Sequence, residues 1–153
     1  MHLLDIITIL CIGLMVGTEL TVSLFINPVI WQLDDHAQAK ALSLFGRLLG
    51  KVMPLWYALC LVLMIVEAYL RRHQPGFPLI LTAIVLWIAI ILYSIAVLVP
   101  INNRIVALST ASSLPTHWLT ETKKWDALHR WRILFLIIAM ICLTWALLTP
   151  CVI

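Results

Sequence analysis

The few charged residues divide the chain into long apolar runs. Leu79 to Val99 contains no charge and is bounded by Pro78 and Pro100. Val52 to Leu70 carries only Glu67, near its end, and is stopped by Arg71-Arg72-His73. Ile133 to Leu148 follows Arg130 and Arg132 and precedes Pro150. The first run, from Leu3 to about Trp31, is interrupted by Asp5 and Glu19 and is the least lipid-like. A helix of about 20 apolar residues crosses a bilayer, and only helices and closed barrels satisfy their backbone there. The runs are continuous rather than alternating, which excludes a membrane barrel. The pattern predicts an all-α integral membrane four-helix bundle, with spans at about 3–31, 52–70, 79–99 and 131–149. No internal repeat or linker divides it, so residues 1–153 form one domain.

The connections differ. Arg71 to Pro78 is short and holds a Pro-Gly pair, so spans two and three form a tight hairpin. In residues 35–51, Ala41, Leu44, Phe45, Leu48 and Leu49 share one helical face, while Lys40, Arg47 and Lys51 fall on another. That predicts an amphipathic interfacial helix between spans one and two. Residues 101–130 hold a Ser/Thr-rich turn at Ser109 to Ser113, and after Pro115 a polar helix is expected to run into span four.

Composition agrees: 63% of the residues are hydrophobic and 11% charged, against about a quarter charged in ordinary soluble domains. This excludes a disordered chain, a nucleic-acid-binding module and a typical soluble enzyme. The net charge of +3 is too small to imply a polyanionic partner and is read as topology instead. Lys40, Arg47, Lys51, Arg104, Lys123, Lys124, Arg130 and Arg132 fall at one membrane face, against Arg71 and Arg72 at the other. The long connections are therefore expected in the cytoplasm and both termini outside, in a bacterial inner (cytoplasmic) membrane. Trp31, Trp56, Trp118, Trp125 and Trp131 gather at the long-connection end, as an aromatic belt would. The first run lacks a basic leader, carries Asp5 early and has no small-residue cleavage site, so it is expected to remain as a span. Cys11, Cys60, Cys142 and Cys151 form no C-x-x-C pair, which argues against membrane thiol oxidoreductases and for packing roles.

An ionisable group inside a bilayer is expensive unless paired or hydrated, so function is sought at such groups. Glu19, Ser23 and Asn27 lie four residues apart on one face, and Pro28 predicts a kink or an end there. A second face of the same span carries Gly13, Gly17 and Thr21, a spacing that lets another helix approach, within the bundle or in a homo-oligomer. Trp118, Thr122, Trp125, His129 and Arg132 form one stripe entering span four. An aromatic wall, a titratable imidazole and a fixed cation suit a planar, electron-rich or anionic ligand. Pro100-Ile101-Asn102-Asn103-Arg104 ends span three at the same membrane face. Glu67 is expected to pair with Arg71, and Asp126 with Arg130 as a surface pair. No two His residues have metal-ligand spacing, so no metal is implied.

Four spans, a Gly-rich first span ending in Asn27-Pro28, Pro100-x-Asn102-Asn103, and Trp125-x-x-x-His129-x-x-Arg132 together resemble the anthrone oxygenase-like family of small membrane proteins. The resemblance covers nearly the whole chain. It implies cofactor-independent oxidation of a lipophilic anthrone- or phenol-like substrate by molecular oxygen. On that reading His129 is the general base and Arg132 and Asn103 stabilise the enolate oxygen. Asn27 and Arg104 bind substrate, Trp125 and Trp118 stack on it, and Glu19 sets the His129 tautomer or acts as an alternative base. Two other readings stay open from the residues. One is a haem-, quinone- or lipid-binding module with His129 or His117 as ligand. The other is a structural or assembly subunit with Gly13 and Gly17 on its partner face. A transporter is least expected, since four helices without a repeat give little machinery for alternating access.

Overall fold

The computed structural model describes residues 2–108 and 117–148. The Ser109 to Ser113 turn, Pro115, Pro150 and Cys151 lie outside the described residues. Four helices are long and apolar enough to cross a membrane: Leu3–Ile30, Asp35–Leu70, Phe77–Ala107 and Trp118–Leu148. The protein is an integral membrane four-helix bundle. Leu10, Leu14, Val62, Leu92 and Trp145 point outward, each more than half exposed, as lipid-facing residues do. The interior packs Ile12, Met15, Cys60, Met64, Ile80, Ala83, Trp87, Leu136 and Leu143. A smaller cluster of Ala39, Ile101, Ile105 and Trp118 closes the long-connection end.

The second and third helices exceed their expected spans, for local reasons. Pro28 and Pro100 do not end their helices. Each follows a single wide turn, Val22–Ile26 in the first helix and Ser94–Leu98 in the third. There the N–H of Asn27 donates to the Val22 carbonyl and that of Val99 to the Ser94 carbonyl, five residues back. A proline lacks an N–H and crowds the carbonyl four residues earlier. A π turn just before it relaxes the backbone, so the helix passes through.

The interfacial helix expected at 35–51 is not separate. Residues 35–51 are helical, but Asp35–Leu70 is one unbroken element that runs through Pro54. Asp34 caps its start by accepting the Ala37 N–H at 3.0 Å. Leu44 and Leu48 of the expected apolar face point outward, while Gln38, Ala39 and Ser43 are buried. The packing stripe is thus the small and polar one, because it meets the extended end of the third helix. Gly46 shows how closely: a Cβ there would sit 3.0 Å from the Asn102 side-chain oxygen. At the other end, a Cβ on Gly76 would come within 2.7 Å of the Ala146 carbonyl, so the hairpin needs glycine. A Cβ on Gly13 or Gly17 meets nothing within 4 Å, so that stripe is not a packing face within the chain.

The hairpin end is tied by a buried ionic cluster. Arg71 lies 2.8 Å from Asp5 and 3.4 Å from Glu67, and Thr8 donates to Glu67 at 3.3 Å. The expected Glu67–Arg71 pair therefore forms, with Asp5 added. Cys11 and Cys60, from different helices, touch at 3.7 Å. Among the described cysteines all are free thiols.

Candidate active site

The polar faces of the first and fourth helices meet inside the bundle. Glu19 is 3% exposed and His129 1%. The Glu19 Oε2 lies 2.6 Å from His129 Nε2 and accepts from Arg132 Nη2 at 2.6 Å. Its Oε1 accepts from the Tyr57 hydroxyl at 3.0 Å. Arg132 Nη1 in turn donates to Ser94 Oγ at 3.3 Å. All four helices thus contribute to one network around a single carboxylate. Taking a carboxylate and a guanidinium out of water is costly unless their hydrogen-bonding capacity is filled, and three donors fill that of Glu19.

The network fixes the imidazole. Glu19 Oε2 acts as an acceptor here, so the imidazole nitrogen facing it is the one that donates. That leaves Nδ1 as the lone-pair nitrogen, and this buried atom has no hydrogen-bond partner among the described residues. Trp125 stacks on the same ring, with centroids 4.7 Å apart and planes 13° apart. Stacking and the Glu19 bond together lock the ring orientation. Arg132 Nε is likewise buried without a partner among the described residues, and the guanidinium carbon lies 5.7 Å from the Tyr57 ring centre.

Beside this network lies a cavity of about 430 Å³. This is the size range of small-molecule sites, which are mostly apolar with a few placed polar groups. Glu19, Tyr57, Ser94, His129 and Arg132 line one region of it, and Asn27, Asn102, Thr122 and Asp126 another. The remaining lining is apolar, including Val22, Ile26, Met53, Ile91, Ile95 and Leu98. Both wide turns contribute to the wall. The second helix does so from Leu42 to Leu61, including part of the stretch expected to lie in the interface.

Of the residues expected from the sequence, Glu19, Asn27, Trp125, His129 and Arg132 come together at the cavity. Trp118 does not line it: it is 2% exposed and packs with Ala39, Ile101 and Ile105, so it belongs neither to the cavity wall nor to an exposed belt. Asn103 is exposed and its neighbour Asn102 faces inward instead. Arg104 is exposed and lies 3.5 Å from Glu121. Ser23 is buried without a partner for its hydroxyl among the described residues and is not part of the wall. His117, the alternative haem ligand, is exposed before the fourth helix. Asp126 is not a surface residue. It is 3% exposed and accepts from Asn27 Nδ2 at 2.6 Å, while keeping the expected Arg130 bond at 2.9 Å. Tyr57, Ser94, Asn102 and Asp126 join the site unannounced by spacing. Among the described residues no three His, Cys, Asp or Glu side chains gather as a metal set.

A family model described as anthrone oxygenase matches residues 42–142. The chain belongs to the anthrone oxygenase family. The matched stretch carries Tyr57, Ser94, Asn102, Trp125, Asp126, His129 and Arg132 of this anthrone oxygenase family member. Glu19 and Asn27 precede it, so their place in the site rests on geometry alone. No curated protein and no solved structure matches the chain.

Proposed function

We propose that the protein is a membrane oxygenase that uses molecular oxygen to convert a lipophilic, enolisable aromatic ketone of the anthrone type into a quinone, with His129 as its general base. The observation that carries this reading is the Glu19–His129 pair. The imidazole is fixed by a filled carboxylate and lines an apolar cavity, and its Nδ1 has no hydrogen-bond partner among the described residues. Family membership supplies the reaction class.

The chemistry balances without help from another group. His129 Nδ1 takes a proton from the methylene beside the rings, and Glu19 stabilises the imidazolium. The resulting enolate oxygen is met by Arg132, whose Nε has no partner among the described residues. The enolate passes one electron to oxygen, and the two radicals combine to a peroxide at the former methylene carbon. The imidazolium returns its proton to the peroxide. Loss of the second C–H proton to His129 then forms the carbonyl as the O–O bond breaks, and hydroxide leaves as water. One CH2 and one O2 become one C=O and one H2O. Trp125 supplies a flat face beside the base, and the apolar wall keeps water from the enolate. On charge distribution, the cavity end of the bundle faces the cytoplasm of a bacterial inner membrane.

Oxygen uptake by the purified protein with anthrone tests the reading. Wild type is expected to consume oxygen in step with quinone formation. His129→Gln keeps a donor for Glu19 but has no base, and is expected to lose about 10²–10⁴ in kcat. Equal turnover by the folded variant contradicts the assignment. A Soret band or tightly held quinone in the wild-type protein, with no oxygen uptake, would favour a binding module instead.

A further inference from the structure

The cavity is closed towards the first and fourth helices and open between the other two. Its lining residues from the first helix, such as Val22, Asn27 and Ile30, are buried or half-buried, as are Thr122, Asp126 and His129 from the fourth. Among the described residues, the exposed ones in the lining all belong to the second and third helices. They are Phe45, Gly50, Pro54 and Ala58 on one, and Ile95 and Val99 on the other. Ile95 is 61% exposed and Val99 45%. Each of these residues faces the cavity and the outside of the bundle at once, so the cavity communicates with its surroundings between these two helices.

The opening has a local cause. The second and third helices touch on either side of it. At one end Trp87 Nε1 donates to the Tyr57 carbonyl at 3.1 Å. At the other a Cβ on Gly46 would sit 3.0 Å from the Asn102 side chain and 3.1 Å from that of Val106. Between these contacts the third helix makes its wide turn, Ser94–Leu98. The second helix presents Gly50, Pro54 and Ala58 there, one above the other and all small. A Cβ on Gly50 would meet nothing within 4 Å, so no side chain fills the gap at that level. From Gly50 to Ala58 this edge is about 12 Å long at helical rise.

The exposed edge is wholly apolar and belongs to helices that cross the bilayer. The carboxylates and the imidazole of the lining, Glu19, Asp126 and His129, are buried behind it. Water finds no partner at such an edge, whereas lipid tails are as apolar as the side chains that form it.

We infer that the gap between residues 50–58 and 91–99 is a lateral portal, through which a flat lipophilic ring compound dissolved in the bilayer enters the cavity and its product leaves without crossing water. The inference rests on the proposed function for the kind of molecule that passes.

The test uses the full chain in phospholipid vesicles, with anthraquinone as an unreactive planar probe. Stopped-flow quenching of tryptophan fluorescence follows its entry, and the phase missing from Trp125→Phe reports the cavity. Gly50→Leu and Ala58→Leu each push a side chain into the gap. Together they are expected to slow association and dissociation about tenfold or more. Kd should stay nearly unchanged, because a narrowed passage delays both directions alike. Each single variant is expected to slow both rates in the same sense, so the test stands if the double variant fails to fold. Val62→Phe, at a lipid-facing position of the second helix outside the lining, is expected to keep wild-type rates. Unchanged rates in the leucine variants, or equal slowing by Val62→Phe, overturn the inference. Weaker affinity at an unchanged association rate also overturns it, since the two positions would then only shape the binding wall. Portal-dependent binding in a protein that does not oxidise anthrone would sink the catalytic reading and leave the portal standing. Anthrone turnover with probe rates indifferent to both leucines would sink the portal alone. Neither binding nor turnover overturns both.

Discussion

The bundle buries two ionic clusters of similar composition, and they differ in what surrounds them. At the hairpin end Arg71 holds Asp5 and Glu67 from two helices. None of these residues lines the cavity. At the other end Arg132 and His129 share Glu19, with Tyr57 and Ser94 from the remaining helices, and all five line it. A buried guanidinium–carboxylate pair is therefore not in itself a sign of catalysis in this fold. What distinguishes the second cluster is its place on the cavity wall and an imidazole with one nitrogen unpartnered among the described residues. The first cluster ties helix ends together, and in the proposed function the second holds the base in place.

Arg71→Leu presses hardest on that distinction. It leaves the buried Glu67 and the half-buried Asp5 without their cation and is expected to destabilise the bundle by about 3 kcal/mol. Unfolding in detergent measures this, and the protein that remains folded should keep its turnover. Loss of activity in a fully folded Arg71 variant would break the comparison. Tyr57→Phe sharpens it from the other side. It removes one of three donors to Glu19 and should lower turnover while costing only about 1 kcal/mol of stability. Loss of stability without loss of rate would make Tyr57 a structural tie like Thr8 and not part of the site.

The spans were legible because charge is so scarce that each interruption marks a boundary. The Glu19, Ser23 and Asn27 face and the Trp125, His129 and Arg132 stripe were legible because i, i+4 spacing states a common face and membrane burial makes polarity conspicuous. Tyr57 and Ser94 were not, since a tyrosine or serine in an apolar run reads as core or as a backbone-bonded hydroxyl. Ser94 indeed also donates to the Ile90 carbonyl. Asp126 and Arg130 carry the spacing of an exposed pair, and nothing local reveals that Asn27 sits against the carboxylate. The choice between Asn102 and Asn103 turned on the wide turn at Ser94–Leu98, which carries the helix past Pro100 and resets which amide faces inward. The 35–51 stretch has the pattern of a surface helix on either side of the headgroups. Only its continuity through Pro54 shows it to be part of a cavity wall.

The central claim is that His129, held by Glu19, removes a carbon-bound proton. Exchange of the anthrone methylene hydrogens in deuterated water, followed by NMR under strict exclusion of oxygen, isolates that step from everything oxygen does later. Wild type is expected to accelerate exchange well above the uncatalysed rate, and His129→Gln is not. Equal exchange by the two proteins, or none above background in wild type while oxygen-dependent turnover proceeds, would contradict it.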